Sequence, residues 1–335
     1  MDLFDEACDQ PVSEQRRIVR QLFARDADLA KRLAELLQHD SDERDVLARG
    51  GAKLWAQQLS EAEMAASGVQ RADVLVGRYQ VGMPLGAGGT GTVHRGRHID
   101  TGQQVALKFL KTRALADRHT VRRMTREYRA LARLSHVNCV QVIDYIESSL
   151  GGCIVMELVS GGHLGQLEGA SEALRIELLH GVACGLSYIH EQGVVHRDLK
   201  PENVLLTNDE PPIPKIADFG IAKVTGSSTT AGSGVVGTID ALSPEQLDGH
   251  ADARSDLYAL GCLVFRLWTG QAPFLGDNFQ RLDARLRGPA PSLAERAPDA
   301  PAELVALTAR LLMRDPEARP QSGGEVADAL RAMMG

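Results

Sequence analysis

The 335-residue sequence has no long hydrophobic run, few cysteines and no excess of positive charge. The longest uninterrupted apolar run, Leu257 to Phe265, is far shorter than the ~20 residues a helix needs to cross a bilayer, so no membrane partner is expected. The five cysteines, Cys8, Cys139, Cys153, Cys184 and Cys262, are scattered and form no Cys-x-x-Cys pair. That argues against a disulfide framework or a cysteine zinc site and suits a reducing compartment. Lys and Arg number 37 against 44 Asp and Glu, a formal net charge of −7. A nucleic-acid binder presents a basic face to phosphate backbones, so none is expected as a partner, although a local basic pocket stays compatible. The opening Met1-Asp2-Leu3-Phe4-Asp5-Glu6 is acidic where a secretory signal is basic, which predicts a cytoplasmic location.

What is present has the texture of a folded protein, 44% hydrophobic and 24% charged. Residues 1–75 read as a helical extension and linker: Ile18, Val19, Leu22 and Phe23 share one helical face, and Leu29, Leu33, Leu36 and Leu37 repeat the pattern. No residue set there carries a chemistry, and its helices are expected to bind a partner or to pack on the rest of the chain. Residues 76–335 read as a second domain. Short strand-like pieces come first, at Tyr79 to Leu85, Thr92 to Arg97, Gln104 to Phe109, Val140 to Ile146 and Cys153 to Leu158, with a long charged helix near Ala114 to Leu134 among them. Helices then dominate, at Ala170 to Gln192, Ser255 to Thr269 and Ala302 to Arg314. A strand-rich half followed by a helix-rich half predicts an α+β fold of two lobes, with a five-stranded first lobe.

Gly86-Ala87-Gly88-Gly89-Thr90-Gly91 stands between two strand-like pieces. Glycines there let the backbone approach a ligand and aim amides at phosphate oxygens. Taken alone the motif is weak, since a chance Gly-x-Gly-x-x-Gly is expected roughly 0.3 times in a chain this rich in glycine. A dinucleotide fold would need a helix directly after it; Thr92-Val93-His94-Arg95 reads as a strand instead. Lys108 closes the run Val105-Ala106-Leu107-Lys108 just after the loop, where an ammonium can reach phosphates, and Glu127 on the charged helix is an anion able to hold it. The strongest segment is His196-Arg197-Asp198-Leu199-Lys200-Pro201-Glu202-Asn203. Five fixed residues of that kind arise by chance in roughly one chain in ten thousand. Asp198 can orient or deprotonate an attacking hydroxyl, Lys200 can neutralise a transferring phosphoryl group, and Asn203 offers an amide oxygen to a hard cation. Asp218-Phe219-Gly220 supplies a carboxylate to complete that cation site.

Together these motifs resemble the Hanks-type (eukaryotic-like) protein kinase family, and the arrangement is similar to that of its bacterial serine/threonine members. The order is the expected one: glycine loop, Val-Ala-Leu-Lys, helix Glu, His-Arg-Asp, Asp-Phe-Gly and Ser243-Pro244-Glu245. The resemblance covers about Arg78 to Met334 and implies the two-lobed protein-kinase fold, preceded here by a small all-helical region. It implies ATP with Mg2+, or Mn2+, and protein substrates with Ser or Thr acceptors. By similarity the catalytic set is Asp198, Lys200, Lys108 and Glu127, and the metal ligands are Asn203 and Asp218. Nucleotide contacts would come from Leu85, Gly86, Gly88, Gly91 and Lys108. Val93, Ala106 and Leu205 would sandwich the adenine, with Met156 as gatekeeper and the backbones of Glu157 and Val159 at the adenine edge. Leu131, Val142, His196 and Phe219 would stack as an apolar spine. Glu245 should pair with Arg319, and Asp256 should receive backbone amides of the catalytic loop. Lys200-Pro201-Glu202 resembles the serine/threonine class, and Arg197 invites a phosphate on the hydroxyl-rich stretch Thr225 to Gly234, at Thr229 or Thr230. The chain departs from the family at Gly237-Thr238-Ile239-Asp240-Ala241, where many relatives carry Gly-Thr-Pro-x-Tyr, and at Thr90 and Val137. The rival readings are a pseudokinase or regulatory binding module, a small-molecule phosphotransferase on a related fold, and an interaction scaffold built on the N-terminal helices.

Overall fold

The structure, a computed structural model, describes residues 75–88, 91–110, 132–148, 151–167, 169–219 and 239–334. The chain divides into two compact units, and the described residues fall into one up to residue 160 and another from residue 161. The expected extension of residues 1–75 lies outside the described residues except for Leu75.

The first unit is built on one antiparallel sheet of six strands: β1 (Leu75–Val76), β2 (Tyr79–Gly88), β3 (Gly91–His98), β4 (Gln104–Leu110), β5 (Val142–Ser148) and β6 (Gly151–Glu157), in the order β1-β2-β3-β4-β6-β5. Five of these strands follow the expectation within a few residues. The sixth, β1, corrects it: two residues are too few for an alternating pattern to register in a sequence. Strand β4 is central and buried at every position after Gln104, which is why it reads as a nearly continuous apolar run. Successive side chains of a strand face opposite ways, and one face gathers Val76, Tyr79, Val81, Val105, Leu107, Phe109, Cys153 and Val155 into a core. Pro84 sits where the β2–β3 register shifts, and its missing N–H fits an interruption of the ladder. Gly91 is fixed by packing, because a Cβ there would collide with the Phe109 carbonyl.

The second unit is mostly helical. Helix α1 (Glu172–Glu191) starts on Ser171, whose side chain accepts from the Leu174 amide, and ends at Gly193 in the left-handed region (φ 73°). The Gly193 amide donates to the His190 carbonyl and the Val194 amide to the Ile189 carbonyl, the paired bonds of a Schellman stop. The chain thus leaves α1 abruptly and runs into His196. A hairpin of β7 (Val204–Leu206) and β8 (Pro214–Ile216) follows, then α2 (Pro244–Leu247) and α3 (Ala253–Thr269). Helix α3 is buried on nearly all sides from Ser255 to Phe265, so its sequence is apolar all round rather than amphipathic. Helices α4 (Asn278–Arg287), α5 (Leu293–Arg296), α6 (Ala302–Leu311) and α7 (Gly323–Ala332) complete the unit. The sequence pattern reveals α1, α3 and α6 but not α4 or α7. Helix α4 is strongly polar and buries Arg285, while α7 opens on two glycines that read as a loop. No described helix is long and apolar enough to cross a membrane.

Helix α7 lies against α1 at backbone distance. A Cβ on Gly323 would sit 2.5 Å from the Ser187 nitrogen and 2.8 Å from the Ala183 carbonyl oxygen. Gly323→Ala is expected to lower the urea midpoint by an amount equivalent to about 1–3 kcal/mol. The control Gly324→Ala, whose Cβ would meet only side-chain oxygens at 3.4 Å and beyond, should leave the midpoint nearly unchanged.

Candidate active site

In the first unit, register fixes the candidate nucleotide residues. Gly86 pairs with Val93, Val93 with Lys108 and Lys108 with Ile154, one row across four strands. The next row on that face pairs Ala106 with Met156. Val93, Ala106, Lys108 and Met156 therefore share the face opposite the core just described. Lys108 is 7% exposed, unusual for a lysine, and Ala106 and Met156 are buried beside it. Gly86 is unlike Gly91: a Cβ there would meet nothing within 4 Å among the described residues, so none of them demands glycine. Leu85 is half exposed. Gly88 ends β2. At the end of β6, the Glu157 amide donates to the Gln141 carbonyl, and its carboxylate accepts from the Gln141 amide at 2.7 Å. Val159 follows outside any strand or helix. Glu127 and Leu131 lie outside the described residues, as do Gly89, Thr90, Gly220 and the segment 221–238 with Thr225, Thr229, Thr230 and Thr238.

In the second unit the His196-to-Asn203 segment is held from beneath by one carboxylate. Asp256, 1% exposed in the first turn of α3, accepts the His196 amide on Oδ2 and the Arg197 amide on Oδ1, each at 2.7 Å. Its Oδ2 also takes His190 Nε2–H from the last turn of α1 at 2.8 Å. Three donors and the positive end of a helix offset the cost of burying that charge. The hold matters because Arg197 is in the left-handed region (φ 65°), a conformation that strains any side chain with a Cβ. Gln246 Nε2 donates to the Arg197 carbonyl at 3.2 Å and fixes the other side of that residue. His196 is fully buried and its tautomer follows from its partners. Nδ1 accepts the Asp198 amide, so Nε2 carries the proton and donates to the Ala217 carbonyl at 2.8 Å.

These bonds bring the catalytic candidates together. Lys200 Nζ is 3.3 Å from Asp198 Oδ2, with both side chains about three-quarters covered. Asn203 Nδ2 donates to the Asp198 carbonyl at 2.8 Å and to Asp198 Oδ2 at 3.1 Å. With its amide hydrogens committed to Asp198, Asn203 presents Oδ1 as its remaining ligand atom. The Ala217 amide in turn donates to the Asn203 carbonyl at 2.8 Å. Ala217 is thus tied on both sides, and Asp218 follows it in the left-handed region (φ 57°). Asn203 and Asp218 offer oxygen donors only, which suits a hard divalent cation that keeps several of its own waters. Leu205 lies on the β7–β8 hairpin between them. The Phe219 ring stands edge-on to His196, centroids 5.9 Å apart. His190 and Gln246 carry no signal in the sequence, since each acts on backbone or on a remote carboxylate.

The Glu245–Arg319 pair expected from the resemblance is present. Arg319, with its side chain fully covered, grips Glu245 with two nitrogens at 2.7 and 2.8 Å and donates to the carbonyls of Met313, Arg254 and Arg314. Its guanidinium also lies over the Tyr258 ring at 4.9 Å. Burial alone would raise the Glu245 carboxyl; hydrogen bonds from Arg319, Ser255 and Ser243 outweigh it and bring the group down to about 2.

With this geometry in hand, the family is identified by comparison. The sequence family described as protein kinase domain matches residues 79–331, and the chain belongs to it. The Myxococcus xanthus serine/threonine-protein kinase pkn2 is 39% identical over 271 residues, 77% of this chain and 33% of that protein. The Mycobacterium tuberculosis serine/threonine-protein kinase PknL is 40% identical over 222 residues, 63% of this chain and 55% of its own length. The chain thus spans from a third to just over half of these relatives. The crystal structure of the M. tuberculosis PknI kinase domain superposes with a TM-score of 0.62 at 29% identity, covering 78% of this chain and 99% of that one. Rad53 1–466 in complex with AMP-PNP gives 0.64 at 27% identity, over 77% and 65% of the two chains.

The Glu245–Arg319 pair generates a pH dependence. A depressed carboxyl stabilises the fold above its unfolded pKa of 4.5, and that contribution is lost as pH falls through about 2. Arg319→Met should cost about 3–5 kcal/mol in urea unfolding at pH 7. It should also flatten the fall in stability between pH 4.5 and 3 that the wild type shows.

Proposed function

We propose that this chain is an ATP-dependent protein serine/threonine kinase that transfers the γ-phosphoryl group to Ser or Thr hydroxyls of proteins. The observation that carries this reading is the braced Asp198–Lys200–Asn203 cluster, built on Asp256 and followed by Asp218. Asp198 Oδ2 would receive the acceptor hydroxyl and take its proton as the oxygen attacks phosphorus. Lys200, already beside that oxygen, would stabilise charge on the transferring phosphoryl group. A divalent cation held by Asn203 and Asp218, Mg2+ or in its place Mn2+, would neutralise the phosphate oxygens. Lys108, oriented by Glu127, would grip the phosphates beneath the glycine loop. Leu85, Gly86, Gly88 and Gly91 would line that grip. Val93, Ala106 and Leu205 would enclose the adenine, with Met156 and the backbones of Glu157 and Val159 at its edge. Positioning and electrostatics supply most of the rate on this scheme, with no covalent enzyme intermediate.

The reading extends to the whole chain. Residues 76–335 would form the kinase domain, and residues 1–75 a helical extension that binds a partner or packs on it. The protein would work in cytoplasmic signalling and would phosphorylate its own segment 225–234, at Thr229 or Thr230, where Arg197 can receive the phosphate. The relatives named above support the serine/threonine class.

With a generic protein substrate and Mg-ATP, wild type should incorporate phosphate on Ser and Thr. Asp198→Asn should lower kcat by about 10²–10⁴ while retaining nucleotide binding, and Lys108→Met should abolish transfer. An Asp198→Asn variant as active as wild type would defeat the reading, and a wild type that binds ATP without transferring phosphate would favour the pseudokinase alternative. Intact-mass measurement after incubation with Mg-ATP should show added phosphate, mapped by fragmentation to Thr229 or Thr230.

A further inference from the structure

Helix α1 carries a thiol and an imidazole one turn apart, and neither has a part in the chemistry above. Cys184 Sγ lies 3.7 Å from His180 Nε2 and 4.0 Å from Nδ1. The pair meets because residues four apart share one face of a helix. Both residues are partly exposed. This sets Cys184 apart among the described cysteines, since Cys139, Cys153 and Cys262 are buried. A thiol is a weak donor, so the contact itself holds the two groups only loosely.

The separation matches that of two ligands on one tetrahedral ion. A thiolate at about 2.3 Å and an imidazole nitrogen at about 2.0 Å from zinc stand about 3.6 Å apart at the tetrahedral angle. Helix α7 supplies part of the surrounding charge. With Gly323 against Ser187 and Ala183, α7 runs back along α1, and its Asp328 and Arg331 both act on the pair. Burial lowers the His180 imidazole and raises the Cys184 thiol; Arg331 then lowers both, Asp328 raises both, and Glu177 raises His180. Two carboxylates thus favour a cation here and one guanidinium opposes it. Among the described residues no third His, Cys, Asp or Glu completes a ready-made cluster. Scattered cysteines argue against a closed all-cysteine zinc site, but an open site with two protein ligands needs only one cysteine.

We infer that Cys184 Sγ and His180 Nε2 chelate a borderline-soft divalent cation of the zinc class on α1, with waters in its remaining positions. The metal–sulfur bond forms as the thiol S–H bond breaks, and the proton leaves to solvent. Magnesium is refused, because it takes oxygen ligands and sheds its waters reluctantly. The site stands apart from phosphoryl transfer, so its test does not depend on the kinase reading.

That test uses the full chain in excess Mg2+, with Co2+ and Zn2+ as probes. One equivalent of Co2+ should give a thiolate charge-transfer absorption that Zn2+ abolishes. Cys184→Ser should remove the absorption, Cys8→Ser should keep it, and His180→Gln should weaken the Co2+ affinity about tenfold or more. In wild type, Zn2+ at ten times its Kd should slow alkylation of Cys184 by iodoacetamide about tenfold, read by mass spectrometry of the Cys184 peptide. Added Mg2+ should not slow it. The alkylation measurement needs no variant, so it stands even where a substitution unfolds the chain. If Zn2+ leaves the Cys184 rate unaltered, or if Cys184→Ser retains the absorption, the site is overturned. A His180→Gln chain with undiminished affinity reduces the pair to a single thiol ligand and overturns the chelate.

Discussion

The buried carboxylate of Asp256 is the constraint on which the second unit's chemistry depends. It sits almost out of water in the first turn of α3, the most buried helix of the unit, and takes three hydrogen bonds from elements far from it in sequence. Two of these come from consecutive main-chain amides, so the anion fixes a backbone path rather than a side chain. That path includes a strained residue, Arg197, which a chain free of such anchors would relax. Asp198 follows at once. The position of the catalytic candidate is therefore inherited from a helix core that itself does no chemistry. The second brace, from neutral His196 to Ala217, carries the same order across to the hairpin end where Asp218 stands.

The sheet of the first unit solves a different problem. Lysine is costly to bury, yet Lys108 must be placed firmly to be of use. Strand β4 achieves this by sending Val105, Leu107 and Phe109 into the core on one face, which pins the register of the residues between them. A shift of one position would turn Lys108 into that core and Leu107 out of it, a penalty large enough to hold the strand in place. Gly91, which permits β3 to approach the Phe109 carbonyl, belongs to the same device, whereas Gly86 answers to no neighbour among the described residues.

How much of this can be read in advance depends on what kind of group acts. Where a side chain is the chemistry, the sequence is informative: Asp198, Lys200 and Asn203 stand in one short segment, and the structure gathers them. Elements with a long period are also readable, as α1 and α3 show. The Glu245–Arg319 pair was accessible only through the family resemblance, since nothing in the spacing of residues 74 positions apart announces a contact. Backbone partners leave no trace at all. Ala217 is tied at both its amide and its carbonyl, but any residue has those groups. Gln246 braces Arg197 through an amide that could have pointed anywhere. Strand β1 is too short to show a period. Helix α4 hides because the residue it buries, among those whose burial is described, is Arg285, whose charge is spent on the Asp240 carbonyl and whose guanidinium lies over the Phe274 ring at 5.1 Å.

Lys200 belongs to two neighbourhoods at once, with its ammonium against Asp198 and its side chain forming part of the wall of a small adjoining pocket. A residue shared in this way is closed to evolutionary tuning, because any replacement that reshaped the pocket would also disturb the acid beside it. Ala241 and Arg266 also line the pocket, yet neither takes part in the Asp198–Lys200 contact.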